Sequence, residues 1–359
     1  MTRRAIHGLT STELAERARA HLPRGYGVAR RIHRQVMLEG RFDPESLGLG
    51  PGSCRAWRSE FSFELPELVA VHSDQDDWGA TSKMVLRLPD GLEVESVCIP
   101  MGHGRYTLCV SSQVGCKMGC VFCETGRMGL LRQLTTDEII AQLLVARHRL
   151  GWPIRNVVFM GMGEALDNFE HVLRAVRVLN DEAGLAMGQE RLTICTVGHV
   201  EGIRLLAQQG LKRINLSISL NAANDSLRAE LMPINRRTKL AELQAALIAY
   251  KPRRNFALGV NYCLLPGIND TLADAHAVAK FCEPLGRALV NLIPYNPGSM
   301  PLTRAPEEAE IERFIGWLRA EGLPVRQRVT KGRSVMAACG QLGNASARRE
   351  RRTLRTERV

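Results

Sequence analysis

From residue 135 onward, apolar positions switch repeatedly between two spacings. Ile139, Ile140, Leu143 and Leu144 fall on one helical face, behind a capping box of Thr135 and Glu138 and ahead of Gly151 and Pro153, so a helix is predicted there. The short apolar run Val157 to Met160 reads as a strand, and Phe169, Val172, Leu173, Val176 and Leu179 return to helical spacing. Extended segments near 191–196, 213–220, 257–264 and 288–294 follow, with helical stretches between them, and Tyr106 to Ser112 supplies one more ahead of them. The resulting six β/α units predict an α/β protein with a parallel sheet, either a barrel or an open doubly wound sheet, and a partial (β/α)6 barrel is the preferred form.

Residues 1–70 carry helical patterns and the Gly/Pro stretch LGLGPGS at 47–53, which predicts a small N-terminal helical accessory domain. Residues 71–104 read as extension strands and linker. Within them MVLRLPDGLEVESVCI, at 84–99, alternates around Pro89, Asp90 and Gly91 as a hairpin does, and would add strands to the edge of the main sheet. The barrel with a catalytic C-terminal loop is assigned to 105–343, and 344–359 is read as a disordered basic tail.

The 359 residues are 45% hydrophobic and 24% charged, enough for a sizeable core, which excludes a disordered or collagen-like chain. Forty-eight Lys and Arg face 37 Asp and Glu, a formal charge of +11 that permits an anionic partner. Residues 1–34 hold eight Arg and two Glu, and residues 348–359 six Arg and two Glu, so the ends carry +6 and +4 and the body only +1. Basic ends around a near-neutral body suit a polyanion held against a central site; they equally suit two solubilising segments. Aromatics, at 5%, are too few for extensive base stacking. No apolar run reaches the roughly 18 residues of a membrane span. The N-terminus has Arg and Glu where a secretory signal would be apolar, so a cytoplasmic protein is expected. Ten cysteines in a reducing compartment then point to metal ligation or redox chemistry for some of them.

Cys116, Cys120 and Cys123 stand in CKMGCVFC, just after the first extended segment of the sheet. Structural zinc usually takes four closed ligands, whereas three thiolates leave a vacancy, which fits a [4Fe-4S] cluster with one iron open to a small molecule. Zinc with a fourth ligand elsewhere, or a disulfide between two of the three, remains open on this loop alone.

CxxxCxxC at the end of a first strand resembles the loop of radical S-adenosylmethionine enzymes. With TLCVSSQVGCKMGCVFC, GMGEALDN, LMPINRR, NLIPYNPG and AACGQLG in this order, roughly residues 20–343 resemble the RlmN/Cfr family of RNA adenine methyltransferases. The resemblance implies a [4Fe-4S] cluster on Cys116, Cys120 and Cys123, with S-adenosylmethionine on the vacant iron. It also implies contacts to that cofactor from Gly163, Glu164, Cys195, Ser219, Leu220, Asn221 and Asn296. Cys195 stands where the family commonly has Ser, Asn221 where it commonly has His, and Glu124 replaces a small residue beside the cluster.

By the same resemblance Cys339 is a methyl carrier and Cys109 its resolving partner. A ring carbon such as carbon 2 or carbon 8 of adenine is not nucleophilic, so polar methyl transfer is closed to it and a radical route is needed. One cofactor methylates Cys339 and a second is cleaved, so two are consumed per turnover. The radical takes hydrogen from the S-methyl group, the resulting carbon radical adds to the ring, the adduct loses a proton and an electron, and Cys109 releases the product by attacking the Cys339 sulfur, leaving a disulfide that an electron donor must reduce. Glu95 is the implied proton acceptor, although the stretch between it and Cys109 is one residue longer than usual, with Glu93 as the fallback. Ribosomal RNA, or else transfer RNA, is the implied partner of a monomeric enzyme that binds no membrane. Two further readings stay open: a radical enzyme of this scaffold with a different substrate, and a non-catalytic, metal-stabilised RNA-binding protein. Cys54, Cys98, Cys263 and Cys282 are read as structural.

Overall fold

Apolar runs bounded by Gly and Pro form strands, and runs at helical spacing cover them, in a computed structural model that describes residues 3–77 and 79–343. The predicted basic tail lies outside the described residues. Three helices come first: α1 (Ser11–His21), α2 (Ala29–Glu39) and α3 (Pro51–Glu60). Three strands follow: β1 (Glu67–Asp76), β2 (Gly79–Arg87) and β3 (Glu93–Pro100). The barrel strands begin with β4 (Tyr106–Cys109), after which a side hairpin of Gln113–Cys116 and Gly129–Gln133 encloses α4 (Glu124–Met128) and α5 (Thr136–His148) follows. Next come β5 (Ile154–Phe159), α6 (Phe169–Asn180), β6 (Leu192–Thr196), α7 (Val200–Ala207) and β7 (Asn215–Ser219). The chain continues through α8 (Asp225–Leu231), α9 (Leu240–Ala249), β8 (Leu258–Leu264), α10 (Leu272–Cys282), β9 (Ala288–Pro294), α11 (Glu308–Ala320) and β10 (Val325–Gln327).

All ten labelled strands join one sheet in reverse chain order, β10 to β1. Strands β4 to β10 pair in parallel, and β3, β2 and β1 extend the sheet antiparallel from β4. This is the partial β/α barrel expected from the alternation, with six strand–helix units from β4 to α11. The two end strands were not foreseen. Strand β10 is three residues long and partly exposed, and β1 carries exposed or half-buried positions throughout, so neither shows the apolar run that marks a buried strand. Strand β1 also begins inside the segment read as helical. The predicted hairpin is β2–β3; its turn is closed by Leu88 N–H donating to the Leu92 carbonyl and Gly91 N–H to the Leu88 carbonyl, with Gly91 at φ +85°.

Thr135 caps α5 as predicted, its N–H donating to Glu138 Oε2 at 2.9 Å. The three N-terminal helices bury Leu14, Ile32, Val36 and Trp57 in a core continuous with that of the barrel. They dock on α6 through Ser11 Oγ donating to Asp181 Oδ1 at 3.0 Å and through a Glu13–Arg174 ion pair. Their packing is thus against the outer helices α5 and α6, with His148 Nε2 of α5 3.1 Å from the Met37 carbonyl.

One buried side chain positions the segment that leads from β4 to the cysteine loop. The Gln142 amide, on α5, accepts from Ser96 Oγ at 2.6 Å and Ser111 N–H at 2.8 Å and donates to the Ser111 carbonyl at 2.9 Å. Ser111 Oγ in turn donates to the Glu95 carbonyl and accepts from Met162 N–H. Replacing Gln142 with Leu strands three buried polar groups. The expected cost is about 2–4 kcal/mol, read as a lower urea midpoint with an unchanged slope; no shift would mean that water replaces the amide.

Candidate active site

The residue order Cys116-Lys117-Met118-Gly119-Cys120-Val121-Phe122-Cys123 leaves the side hairpin at Cys116 and enters α4 at Cys123. Cys116 and Cys120 are buried and Cys123 half-buried, packed among Met118, Leu231, Met232, Leu265 and Tyr295. Burial pushes the Cys116 thiol up to about 12 and raises Cys120 and Cys123 as well. Such thiols ionise near neutral pH only when a cation takes the place of their protons. A multi-iron cluster holds its thiolates at separate corners, and three spaced, desolvated thiols fit that donor set.

Cys120 and Cys123 line a cavity at the carboxyl ends of β5 to β9 together with Gly163, Glu164, Cys195, Ser219, Asn221 and Cys339. Two glycines shape its wall. A Cβ on Gly161 would stand 2.7 Å from the Val110 carbonyl, and Gly163 has φ +105° with Gln113 where a side chain would go. Glu164 is buried; Oε1 accepts from Leu166 N–H at 3.0 Å and Oε2 from Val197 N–H at 2.8 Å. Burial nonetheless raises its carboxyl to about 7, against the opposing pull of those hydrogen bonds.

Asn221 takes φ +57°, a conformation Asn tolerates and a β-branched residue does not. Its Oδ1 accepts from Cys263 N–H at 2.9 Å, and its carbonyl accepts from Asn269. Below it the barrel interior is polar: Asn291 Nδ2 donates to Asn261 Oδ1 at 3.0 Å, Asn261 Nδ2 to Cys195 Sγ at 3.3 Å, and Cys195 Sγ lies 3.7 Å from Ser219 Oγ. Two of the expected contact residues stand apart. Leu220 is fully buried and offers only its backbone, and Asn296 does not line this cavity but accepts from Arg333 Nε at 3.3 Å.

After β10 the chain turns back across the open side of the sheet. Lys331 Nζ meets Asp76 Oδ2 of β1 at 2.8 Å, and Lys83 Nζ of β2 donates to the Met336 carbonyl at 3.2 Å. Gln341 Nε2 donates to the Pro297 carbonyl at 2.9 Å, and Gly343 N–H to Glu95 Oε2 at 2.8 Å. Between these anchors Cys339 is exposed, near enough to Cys109, Cys123, Cys195 and Cys263 that a thiolate on it would raise the pKa of each. Cys109 is buried and its thiol well above the ordinary range. Glu95 lines a separate cavity behind the Cys339 segment and pairs with Lys83 at 3.1 Å; Glu93 pairs with Arg87. Glu124 accepts from Ser299 N–H at 2.7 Å and Ser299 Oγ at 3.0 Å, while its own N–H donates to the Gly340 carbonyl at 2.8 Å. The carboxylate standing where a small residue is usual thus ties the cysteine loop to the 297–300 turn.

Residues 110–281 match the model of the radical SAM superfamily. The probable dual-specificity RNA methyltransferase RlmN 1 of Protochlamydia amoebophila is 41% identical over 350 residues, covering 95% of this chain and 94% of the relative. The chain belongs to the RlmN family. The dual-specificity RNA methyltransferase RlmN 1 of Myxococcus xanthus is 41% identical over 86% of both chains. A crystal structure of a radical SAM methyltransferase from Sphaerobacter thermophilus superposes with a TM-score of 0.86 at 37% identity, covering 94% of this chain and 99% of the other.

In this RlmN-family chain several site residues carried no motif. Asn261 and Asn291 are register partners on adjacent strands, and a lone Asn inside each of the apolar runs LGVNYCL and ALVNLIP was the signal available. Lys83 and Ser299 had none, because their importance comes from the returning C-terminal segment. Arg328, just past β10, lies near enough to Cys109 and Cys195 to favour their thiolates. Iodoacetamide at near-neutral pH should label Cys339 at least about tenfold faster than any other cavity cysteine, with Cys339→Ser abolishing the fast phase in peptide mass spectrometry. Fast labelling of Cys109 instead would contradict its burial.

Proposed function

We propose that this chain methylates ring carbon 2 or carbon 8 of an adenosine in RNA, ribosomal or transfer, using S-adenosylmethionine and an S-methylated Cys339 as the carrier. The observation that carries this reading is the exposed Cys339 at the mouth of the cysteine-lined cavity, within electrostatic reach of buried Cys109, in a chain of the RlmN family. A binding protein needs no such second pair of thiols.

The reading divides the work among named side chains. Cys116, Cys120 and Cys123 hold a [4Fe-4S] cluster, which when bound supplies the electron that cleaves S-adenosylmethionine. Glu164 receives the ammonium of the cofactor's aminoacyl group, and Gly163 leaves room for its backbone approach. Cys195, Ser219 and Asn221 offer hydrogen-bonding atoms along the cavity wall. Cys339 accepts a methyl group as a thiolate nucleophile and carries it to the adenine ring. Glu95, ion-paired to Lys83, accepts the proton lost from that ring, and its bond to Gly343 N–H links it to the carrier segment. Once the adduct has also given up one electron, Cys109 attacks the Cys339 sulfur, releasing RNA and leaving a disulfide, and an external donor supplies the electrons that reduce disulfide and cluster. Among the described residues no helix is long and apolar enough to cross a membrane, and the reading places a monomeric enzyme in the cytoplasm, where its RNA is.

Anaerobic reconstitution should give a brown protein that cleaves S-adenosylmethionine on reduction and bears one methyl on Cys339. Cys109→Ala should accumulate protein-linked RNA, and nucleosides from cells with and without the gene should differ in 2-methyl- or 8-methyladenosine. A colourless zinc protein with neither methyl nor adduct would sink the reading. Glu164 makes a separate prediction. Its carboxyl sits near 7 without ligand, and only its charged form pairs with an ammonium, so below pH 7 it must lose a proton to bind. Cofactor affinity should therefore fall by about tenfold per pH unit below 7 and level off above it. Glu164→Gln should abolish the slope.

A further inference from the structure

Arg228, on α8, is 1% exposed, yet its guanidinium meets only neutral acceptors. Nε donates to the Leu220 carbonyl at 3.0 Å and Nη1 to Asn235 Oδ1 at 2.9 Å, while Nη2 donates to the Val197 carbonyl at 2.6 Å and the Ser219 carbonyl at 3.3 Å. Asp225, a half-buried carboxylate, favours the cation through space but makes no ion pair with it, and is joined to it through Asn235, whose Nδ2 donates to Asp225 Oδ1 at 2.7 Å. Burial lowers the guanidinium to about 10, which still leaves it charged at neutral pH. A buried charge without an opposite charge beside it is costly, and four neutral acceptors could be satisfied by an uncharged donor.

The cysteine loop packs on the same helix. Val121 N–H donates to the Leu231 carbonyl at 3.0 Å, which seats the cysteine loop on α8 less than one turn from Arg228, and Cys120 packs with Leu231 and Met232. Val197 and Ser219, whose carbonyls the guanidinium holds, line the same cavity as Cys120. Three thiolates and the inorganic sulfides of a cluster make an anionic group, and adding an electron to it in a desolvated pocket is opposed by the charge already there.

We propose that Arg228 is the fixed counter-charge of the cluster held by Cys116, Cys120 and Cys123, and that it raises the affinity of the cluster for the incoming electron. The inference rests on the cluster reading given above. It makes Arg228 a positioning and tuning residue that touches no substrate: its fork ties together the carboxyl ends of β6 and β7, and its charge acts on the neighbouring metal group.

The test compares wild type, Arg228→Lys and Arg228→Gln, each reconstituted anaerobically, by iron and sulfide content and by potentiometric titration followed by electron paramagnetic resonance. Arg228→Gln keeps hydrogen-bond donors without the charge and should bind the electron at least tenfold more weakly, a midpoint about 59 mV more negative for one electron. Arg228→Lys keeps the charge without the fork and should stay within threefold of wild type. Equal midpoints for wild type and a fully loaded Gln variant overturn the inference. If the Gln variant does not fold, the Lys variant decides alone: a retained midpoint supports the role of charge, and a tenfold loss assigns the effect to the fork. A wild type that takes up no iron and sulfide instead defeats the cluster reading itself, which separates the two failures.

Discussion

Lys83 and Glu95 form a buried ion pair of 3.1 Å, and Gly343 N–H completes it at 2.8 Å, so that the end of the described chain is drawn back across the open side of the sheet. If the segment lifted away, Glu95 would lose the Gly343 N–H and Lys83 the Met336 carbonyl, two hydrogen bonds to charged groups, while the pair between neighbouring strands would remain. The contact therefore acts chiefly by specifying one position. Lys83 also holds the Met336 carbonyl, and Gln341 and Gly340 are caught on the opposite side by Pro297 and Glu124. Cys339 reaches the cavity mouth because its neighbours on both sides are anchored to different strands and loops.

Within that frame, removal from water governs the chemistry. The same burial that raises Cys116, Cys120 and Cys123 raises Glu164 and Cys195, so the free cavity is set to remain largely protonated. A cationic metal group and a cofactor bearing an ammonium would reverse that state by replacing protons, which couples their binding to ionisation of the walls. Arg228 is the exception, a permanent charge already present before either arrives. Its four bonds show how it is tolerated: it donates to the Val197, Ser219 and Leu220 carbonyls at the ends of β6 and β7 and to the Asn235 side chain.

Much of this architecture could be read from residue order. Six strand–helix alternations mark themselves by β-branched runs, capping boxes and Gly or Pro stops, and the Cys116, Cys120 and Cys123 spacing marks the loop. Strands β1 and β10 escaped because sheet edges bury little surface and leave no strong apolar signal. Asn221 and Glu124 read in the sequence as departures from the family pattern. The left-handed backbone at Asn221 and the Ser299 contact of Glu124 supply reasons that depend on φ and on a loop 175 residues away. Conversely, Asn296 and Leu220 belonged to the right strand ends, but strand position does not fix which way a side chain points.

By itself the sequence determined the local structure, the thiol loop and the presence of two further cysteines in motifs of their own, since periodicity, capping and ligand spacing are properties of neighbours in the chain. Only the tertiary structure decided which of those cysteines is exposed, that Glu95 is held by Lys83 and the returning chain, and that Arg228 lies buried on the helix against which the cysteine loop packs. Burial and charge proximity are set by what packs around a group, and here those partners come from β2, α8 and the segment after β10, far apart in the chain.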